Sequence, residues 1–506
     1  MPEQVVDVIV IGGGGAGLMA AFSAARHGRS VLVLEKCARI GGTTALSVGT
    51  ICATSTRLQK KAGIDDSPNE HFEDMSLFVG PLAKRDNLEL RRLLVDHVPE
   101  TIELLADLGV EFMGPLPEPP HRKSRLHAII PHSRGYIERL ERACRRLGVT
   151  IRAGTPVDRL ANKDGRVVGV ELARRNGGAM ERIAARRGVI IASGDFSSAP
   201  LGYKERFMGG PLLEIGGINP ASAGDGQRMG EEAGAEVVNG DLAWGPEIRF
   251  LAPHRQSFVS RFPTNRPFAR ALLWAMRVLP QAWLRPFLLG FVTTFLAPSH
   301  RLFQQGAILV NARGERFCDE LNRPQDHIGR QPDQSAFILF DRTVAERFGA
   351  WPNFISTAPG VGYAYLADYA RSRPDIYAKA DTLEGLAAKL CVPADVLVKA
   401  VRAHNEGLPL RVDGDARGPV LRPPFHALGA AKSWIVFSEG GLRIDREFRV
   451  SDRAGRPIPG LYAAGSAGQG GLLLEGHGHH LAWAFTSGRL AGRSAALSSL
   501  PEVRMT

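Results

Sequence analysis

VVDVIVIGGGGAGLMAAFSAARHGRSVLVLEK, residues 5–36, decides the fold of this chain. Residues 5–11 read as a short, fully buried strand of the kind found inside a parallel sheet. Gly12, Gly14 and Gly17 follow in G-x-G-x-x-G register, and the Ala- and Met-rich run after them suits a helix ending near Gly28. A second buried strand, RSVLVLEK, closes on Glu35 and Lys36. Each part has a physical task. Gly12 permits the tight turn, Gly14 lets backbone N–H groups approach a pyrophosphate, and Gly17 lets helix and strand pack closely. The helix amino end, from Gly15 and Ala16, supplies partial positive charge for that pyrophosphate. Glu35, 18 positions beyond Gly17, can accept hydrogen bonds from ribose hydroxyls, and an acid there argues against a 2′-phosphate.

The flanking sequence favours FAD over NAD. RIGGTTALSVGT (39–50) offers a glycine- and hydroxyl-rich loop able to wrap a second phosphate and the flavin. Near the other end, RPIPGLYAAGSAGQGG (456–471) reads as a turn, a strand and a glycine-rich loop. HLAWAFTSGRLAGRSAA (480–496) then has helical spacing and many small residues. A closing strand, loop and helix that return to the first domain suit a flavin, whose ring lies far from the adenine.

Bulk properties narrow the partners. The 506 residues are 44% apolar, ample for a large core, and no repeat or low-complexity tract interrupts them. The net charge of +11 favours anionic partners, but the basic residues are scattered, which argues against nucleic acid. Cys37, Cys52, Cys144, Cys318 and Cys391 form no C-x-x-C pair, so no iron–sulfur, haem or zinc signature is present. Such a set fits reduced thiols in a cytoplasmic protein, and the opening residues run straight into the first strand without a secretory signal.

Taken with VIIASGDF (189–196), NPASAGDGQRMGEEAGAEVV (219–238), GAILVNARGERFCDEL (306–321), ADTLEGLAAKLCVP (380–393) and SEGGLRID (438–445), these motifs carry a resemblance over nearly the whole chain. The chain resembles the flavoprotein subunits of fumarate reductases and succinate dehydrogenases, in the branch that also holds 3-ketosteroid Δ1-dehydrogenases. The resemblance implies an α/β, Rossmann-like FAD-binding domain, residues 1–240 plus 425–506, split by an inserted α+β cap, residues 241–424. It implies FAD contacts at Gly12, Gly14, Gly15, Ala16, Gly17, Glu35, Lys36, Gly41, Gly42, Thr43, Thr44, Ser193, Gly194, Asp195 and Gly465, with Val157 at the adenine. Some members attach FAD through a histidine in the GGTTALS block; Thr43 stands there, which implies non-covalent FAD.

The catalytic groups of the known branches do not carry over. The proton-donating arginine of fumarate reductases aligns with Gln325 or nearer Arg323, according to the register chosen. A carboxylate-binding arginine aligns with Glu475, a like charge to a dicarboxylate, and SWIVFSEGG lacks a matching histidine. The tyrosines of ketosteroid dehydrogenases are also absent. What stays near the expected flavin as catalytic candidates is GHGHH, with His477, His479 and His480, plus Glu475. Imidazole could exchange a proton opposite hydride transfer; alternatively these rings pack against the flavin. No second ligand cluster accompanies GHGHH in the sequence, so no metal is expected.

Residues 267–297, PFARALLWAMRVLPQAWLRPFLLGFVTTFLA, are too interrupted by Arg and Pro to span a bilayer. Arginines interleaved with Trp274, Trp283, Leu and Phe suit an interfacial segment on an anionic membrane, with an oligomer interface or cap core as the other reading. The expected activity is therefore FAD-dependent dehydrogenation or reduction of a C–C bond beside a carbonyl. A lipophilic, steroid-like ketone is the first substrate class and a small unsaturated acid the second. A flavoprotein electron carrier without a substrate of its own is a third reading. The electron donor or acceptor is not encoded in any motif.

Overall fold

The computed structural model describes residues 4–172, 180–251, 261–280, 293, 296–358, 362–408 and 417–498. Strand β1 (Gln4–Ile11), helix α1 (Gly15–Arg26) and strand β2 (Val31–Leu34) form where the glycine fingerprint predicts them. The strands enter an eight-stranded sheet whose parallel centre runs Pro457–Ala463, Arg182–Ile191, β1, β2, Thr150–Arg152. β1 and β2 are almost wholly buried because helices cover the sheet, so their apolar runs need no alternation.

Helix His479–Leu497 returns to α1 and packs closely against it. The small residues make the approach: a Cβ on Gly488 would stand 2.3 Å from Ala16 O, and one on Gly492 would stand 2.2 Å from Ala20 O. The carboxyl-terminal segment thus closes the domain that residues 5–36 open.

The cap holds a five-stranded antiparallel sheet ordered Glu247–Phe250, Phe425–Trp434, Ser335–Phe340, Ile308–Asn311, with Tyr377–Ala380 also paired to Phe425–Trp434. Strand Phe425–Trp434, placed by the sequence reading in the FAD-binding domain, pairs in this sheet with Glu247–Phe250, Ser335–Phe340 and Tyr377–Ala380. Two short ribbons, Ala243–Trp244 with Phe437–Ser438 and Val237–Val238 with Gly441–Leu442, join the outgoing and returning chain. They continue the same apolar pattern as the cap strand, so nothing local marks the transition.

Among the described residues no helix is long and apolar enough to cross a membrane. Helix Arg266–Val278 forms the first part of the apolar stretch and anchors to the body through Arg266 and Arg270, both paired with Glu111 at 2.7 and 2.9 Å. Residues 281–292, with Trp283, lie outside the described residues. The five cysteines are all free thiols.

Candidate functional site

A cavity of about 980 Å³ runs from the amino end of α1 to the ribbon formed by Ala243–Trp244 and Phe437–Ser438. Gly12, Gly14, Gly15, Ala16, Glu35, Lys36, Gly42, Thr43, Thr44, Val157, Ser193, Gly194, Asp195 and Gly465 all line it. Gly17 and Gly41 do not. Gly17 instead sets the helix–strand approach, since its Cβ would stand 1.9 Å from Gly12 O. Gly41, at φ +136°, turns the second loop so that its N–H donates to Gly13 O at 2.9 Å.

These residues fit FAD. The amino end of α1 has no side-chain cap and no acid in its first turn, so its N–H dipoles face the cavity unneutralised. Glu35 accepts from Gly13 N and Cys37 N, both at 2.8 Å, which fixes its carboxylate where ribose hydroxyls can donate to it. Thr44 Oγ1 accepts from Gly15 N at 3.2 Å and ties the second loop to the first. Thr43 Oγ1 accepts from Asn219 Nδ2 at 2.9 Å. Lys36 is paired with Asp225 at 2.6 Å. Ser193 Oγ is buried without a hydrogen-bond partner, in keeping with a polar ligand beside it. Asp195 is buried, which raises its carboxyl, and accepts from Ser438 N at 2.9 Å. Arg39, Arg134 and Arg145 also line the cavity and add positive charge; they sit in ordinary helix and loop sequence that gave no local signal.

At the far end the wall changes character. Trp244 and Phe437 meet edge to face, with ring centroids 5.0 Å apart. His477 and His480 lie next to them, their rings 5.7 and 6.4 Å from Trp244. Glu247 and Arg249, an ion pair at 2.9 Å on the first cap strand, complete this end. His477 is held by Glu118, which accepts from its backbone N at 2.7 Å and bonds Nδ1 at 2.5 Å. That bond and the carboxylate charge raise the imidazole above its ordinary value against the opposing effect of burial. Glu118 lies 359 positions earlier in the chain, and sequence reasoning missed it.

Four expected catalytic residues stand elsewhere. Arg323 has a side chain 62% exposed, adopts φ +45° and pairs with Asp326 at 2.6 Å; it does not line the cavity. Gln325 opens the short helix Gln325–Ile328, also outside the lining. The family register around 320–326 therefore does not bring a side chain to the flavin end. Glu475 is exposed and outside the lining, and its carbonyl accepts from His479 Nδ1 at 2.7 Å. His479 is fully buried and outside the lining, its side chain turned about 100° around the helix from that of His480. Of the three histidines of GHGHH, His477 and His480 line the cavity.

The chain is 26% identical to NADH:acrylate oxidoreductase of Vibrio harveyi over 98% of its own length, spanning 50% of that protein. It is 25% identical to 4-oxocyclohexanecarboxylate 2-dehydrogenase of Sinomonas cyclohexanicum, covering 98% of this chain and 93% of that one. The open conformation of a flavocytochrome c3 fumarate reductase shares the fold, with a TM-score of 0.72 and 22% identity over 98% of this chain and 78% of that chain. The FAD_binding_2 model, "FAD binding domain", matches residues 7–260 and 266–473. The chain belongs to the FAD_binding_2 family and is an FAD-dependent oxidoreductase.

Proposed function

We propose that the protein dehydrogenates or reduces a C–C bond adjacent to the carbonyl of a lipophilic cyclic ketone. The observation that carries this reading is the wall of Trp244 and Phe437 beside His477 and His480, at the end of the cavity that holds the dinucleotide residues. FAD supplies hydride acceptance or donation at N5. The chain's own groups do the rest. Trp244 and Phe437 exclude water and pack an apolar ring system. His477, fixed by Glu118, is positioned to move a proton at the substrate α-carbon. Arg249, steadied by Glu247, supports the negative charge that develops on the carbonyl oxygen. The relative named for 4-oxocyclohexanecarboxylate is a precedent for a cyclic ketone on this scaffold.

The test is anaerobic titration of the FAD-loaded protein with saturated cyclic ketones, from cyclohexanones to 3-ketosteroids. Bleaching of the flavin band supports the reading. His477→Ala should keep its FAD and lose about 10²–10⁴-fold in the rate of bleaching. Reoxidation of the reduced protein by a small enoate, with no response to ketones, would instead favour the unsaturated-acid reductase. Arg249, not Arg323, would then hold the carboxylate. Silence toward both would favour an electron carrier.

A lipophilic substrate suits a protein that meets a membrane surface. Helix Arg266–Val278 presents Trp274, 64% exposed, and Val278, 59% exposed, beside the exposed Arg270 and Arg277. Basic and aromatic groups on one helix match an anionic lipid surface. Trp274→Glu should reduce co-sedimentation with anionic vesicles several-fold while leaving bleaching by a soluble ketone unchanged. Equal sedimentation of variant and parent would remove the membrane from the proposal.

A further inference from the structure

The geometry points to a closed, four-coordinate site for a zinc-like divalent cation formed by Cys52, His71, His121 and His479. None of these residues lines the flavin cavity. They come from four separate places: strand Thr50–Cys52, helix Pro68–Val79, the turn at His121 and the first residue of helix His479–Leu497. All four are buried, and their ligand atoms lie within 4.8 Å of one another. Cys52 Sγ stands 3.5 Å from His71 Nε2 and 3.3 Å from His121 Nε2, and His71 Nε2 stands 3.4 Å from His479 Nε2. A tetrahedral zinc with its usual nitrogen and sulfur bond lengths has ligand–ligand edges of about 3.3–3.6 Å. The three observed edges fall on that range.

The surroundings suit the ion as well. His479 Nδ1 donates to the carbonyl of Glu475 at 2.7 Å, which leaves Nε2 as a bare lone pair aimed into the cluster. That is the outer hydrogen bond by which proteins orient a metal-bound imidazole. Asp74 Oδ2 lies 3.8 Å from His121 Nδ1, and Arg125 contacts the same nitrogen at 3.0 Å. Arg125, already paired with Asp66 and Asp74, donates to His121 Nδ1, so ligation through Nε2 requires the ring proton to shift to Nδ1, toward Asp74. The ion takes four dative bonds, and the Cys52 thiol releases one proton to solvent; no electron moves.

The consequence is mechanical. The cation would pin the first turn of the helix that follows His477 and precedes the contacts of His480 with Phe437. It would thereby fix the imidazole end of the flavin cavity from behind. This role is independent of which substrate the cavity accepts.

The experiment is metal analysis and X-ray absorption on the FAD-loaded full chain, purified and then equilibrated with zinc, beside Cys52→Ser and His71→Ala. Support is a single tightly held zinc whose shell contains one sulfur at about 2.3 Å and nitrogens at about 2.0–2.1 Å. Affinity in Cys52→Ser should fall by more than ~100-fold, beyond the usual effect of outer-shell changes, with FAD retained. No zinc bound by the parent, or a shell of oxygens without sulfur, overturns the proposal. If both variants fail to fold, the sulfur in the parent's own shell decides.

Discussion

Gly17→Ala is expected to give purified protein that carries no FAD. The added Cβ would stand 1.9 Å from Gly12 O and 3.0 Å from Gly12 C, well inside van der Waals contact. Neither partner can move away. Gly12, at φ +108°, is itself wedged against the next strand, where its own Cβ would stand 2.4 Å from Ala192 O. Relief must therefore come from α1 lifting off β1, which withdraws the N–H groups of Gly14 and Gly15 from the phosphate end of the cavity. The same movement strains the packing of helix His479–Leu497, because Gly488 already touches the Ala16 backbone. Gly28→Ala is the control. Gly28 also has positive φ, +73°, but nothing lies within 4 Å of its added Cβ. It should cost about 1–2 kcal/mol of stability and keep its flavin. The flavin-to-protein absorbance ratio after gel filtration reads both variants. A Gly17→Ala protein with full flavin would show that the helix approach is not what builds the phosphate site.

Glu320→Ala is expected to have the largest effect on the cap, about 3–5 kcal/mol of destabilisation. Glu320 is fully buried and pairs with Arg316 at 2.7 Å and with Arg417, and it accepts from Leu309 N at 3.0 Å. Removing it takes the ion-pair partner from Arg316, leaves Arg417 only its pairing with Asp319 at 3.2 Å, and leaves a strand N–H without its acceptor. Burial alone would raise the Glu320 carboxyl; the Arg316 hydrogen bonds, the Leu309 N–H and the two arginine charges overcome this and hold it below its usual range. The folded value is thus depressed relative to the unfolded chain. Its stabilisation is fully present above the unfolded value, near pH 4–5, and is lost as pH falls through the depressed folded value. Urea midpoints followed at pH 7 and pH 4 test both statements. The parent should lose stability toward acid more steeply than Glu320→Ala, and parallel losses would place the acid sensitivity elsewhere.

The fingerprint residues that were legible in the sequence share one property: their partners are close in the chain. Strand β1, the turn, α1, β2 and Glu35 form a contiguous unit whose hydrogen bonds, such as Glu35 to Gly13 N, join neighbours in the fingerprint. Gly12 and Gly17 are dictated by backbone contacts that leave no room for a Cβ. The apolar runs of buried parallel strands and the small residues of the closing helix were readable from composition and periodicity, although their packing partners lie far away in the chain. FAD as cofactor followed from these local facts.

The catalytic end was a different problem. GHGHH supplies three imidazoles of one type within four residues, and only the helical turn and tertiary packing send His477 and His480 to the cavity and leave His479 outside its lining. Glu118 meets His477 across 359 positions, and Cys52 meets His71, His121 and His479 from three other elements. Arg323 was chosen on register alone, and the fold leaves it at the surface. The sequence by itself determined the dinucleotide scaffold, because local sterics at glycine and the periodicity of buried strands act within a few residues. Tertiary structure alone decided which charged and imidazole groups share a site. The side chains that meet there are brought together by the packing of distant elements, and no spacing along the chain encodes those contacts.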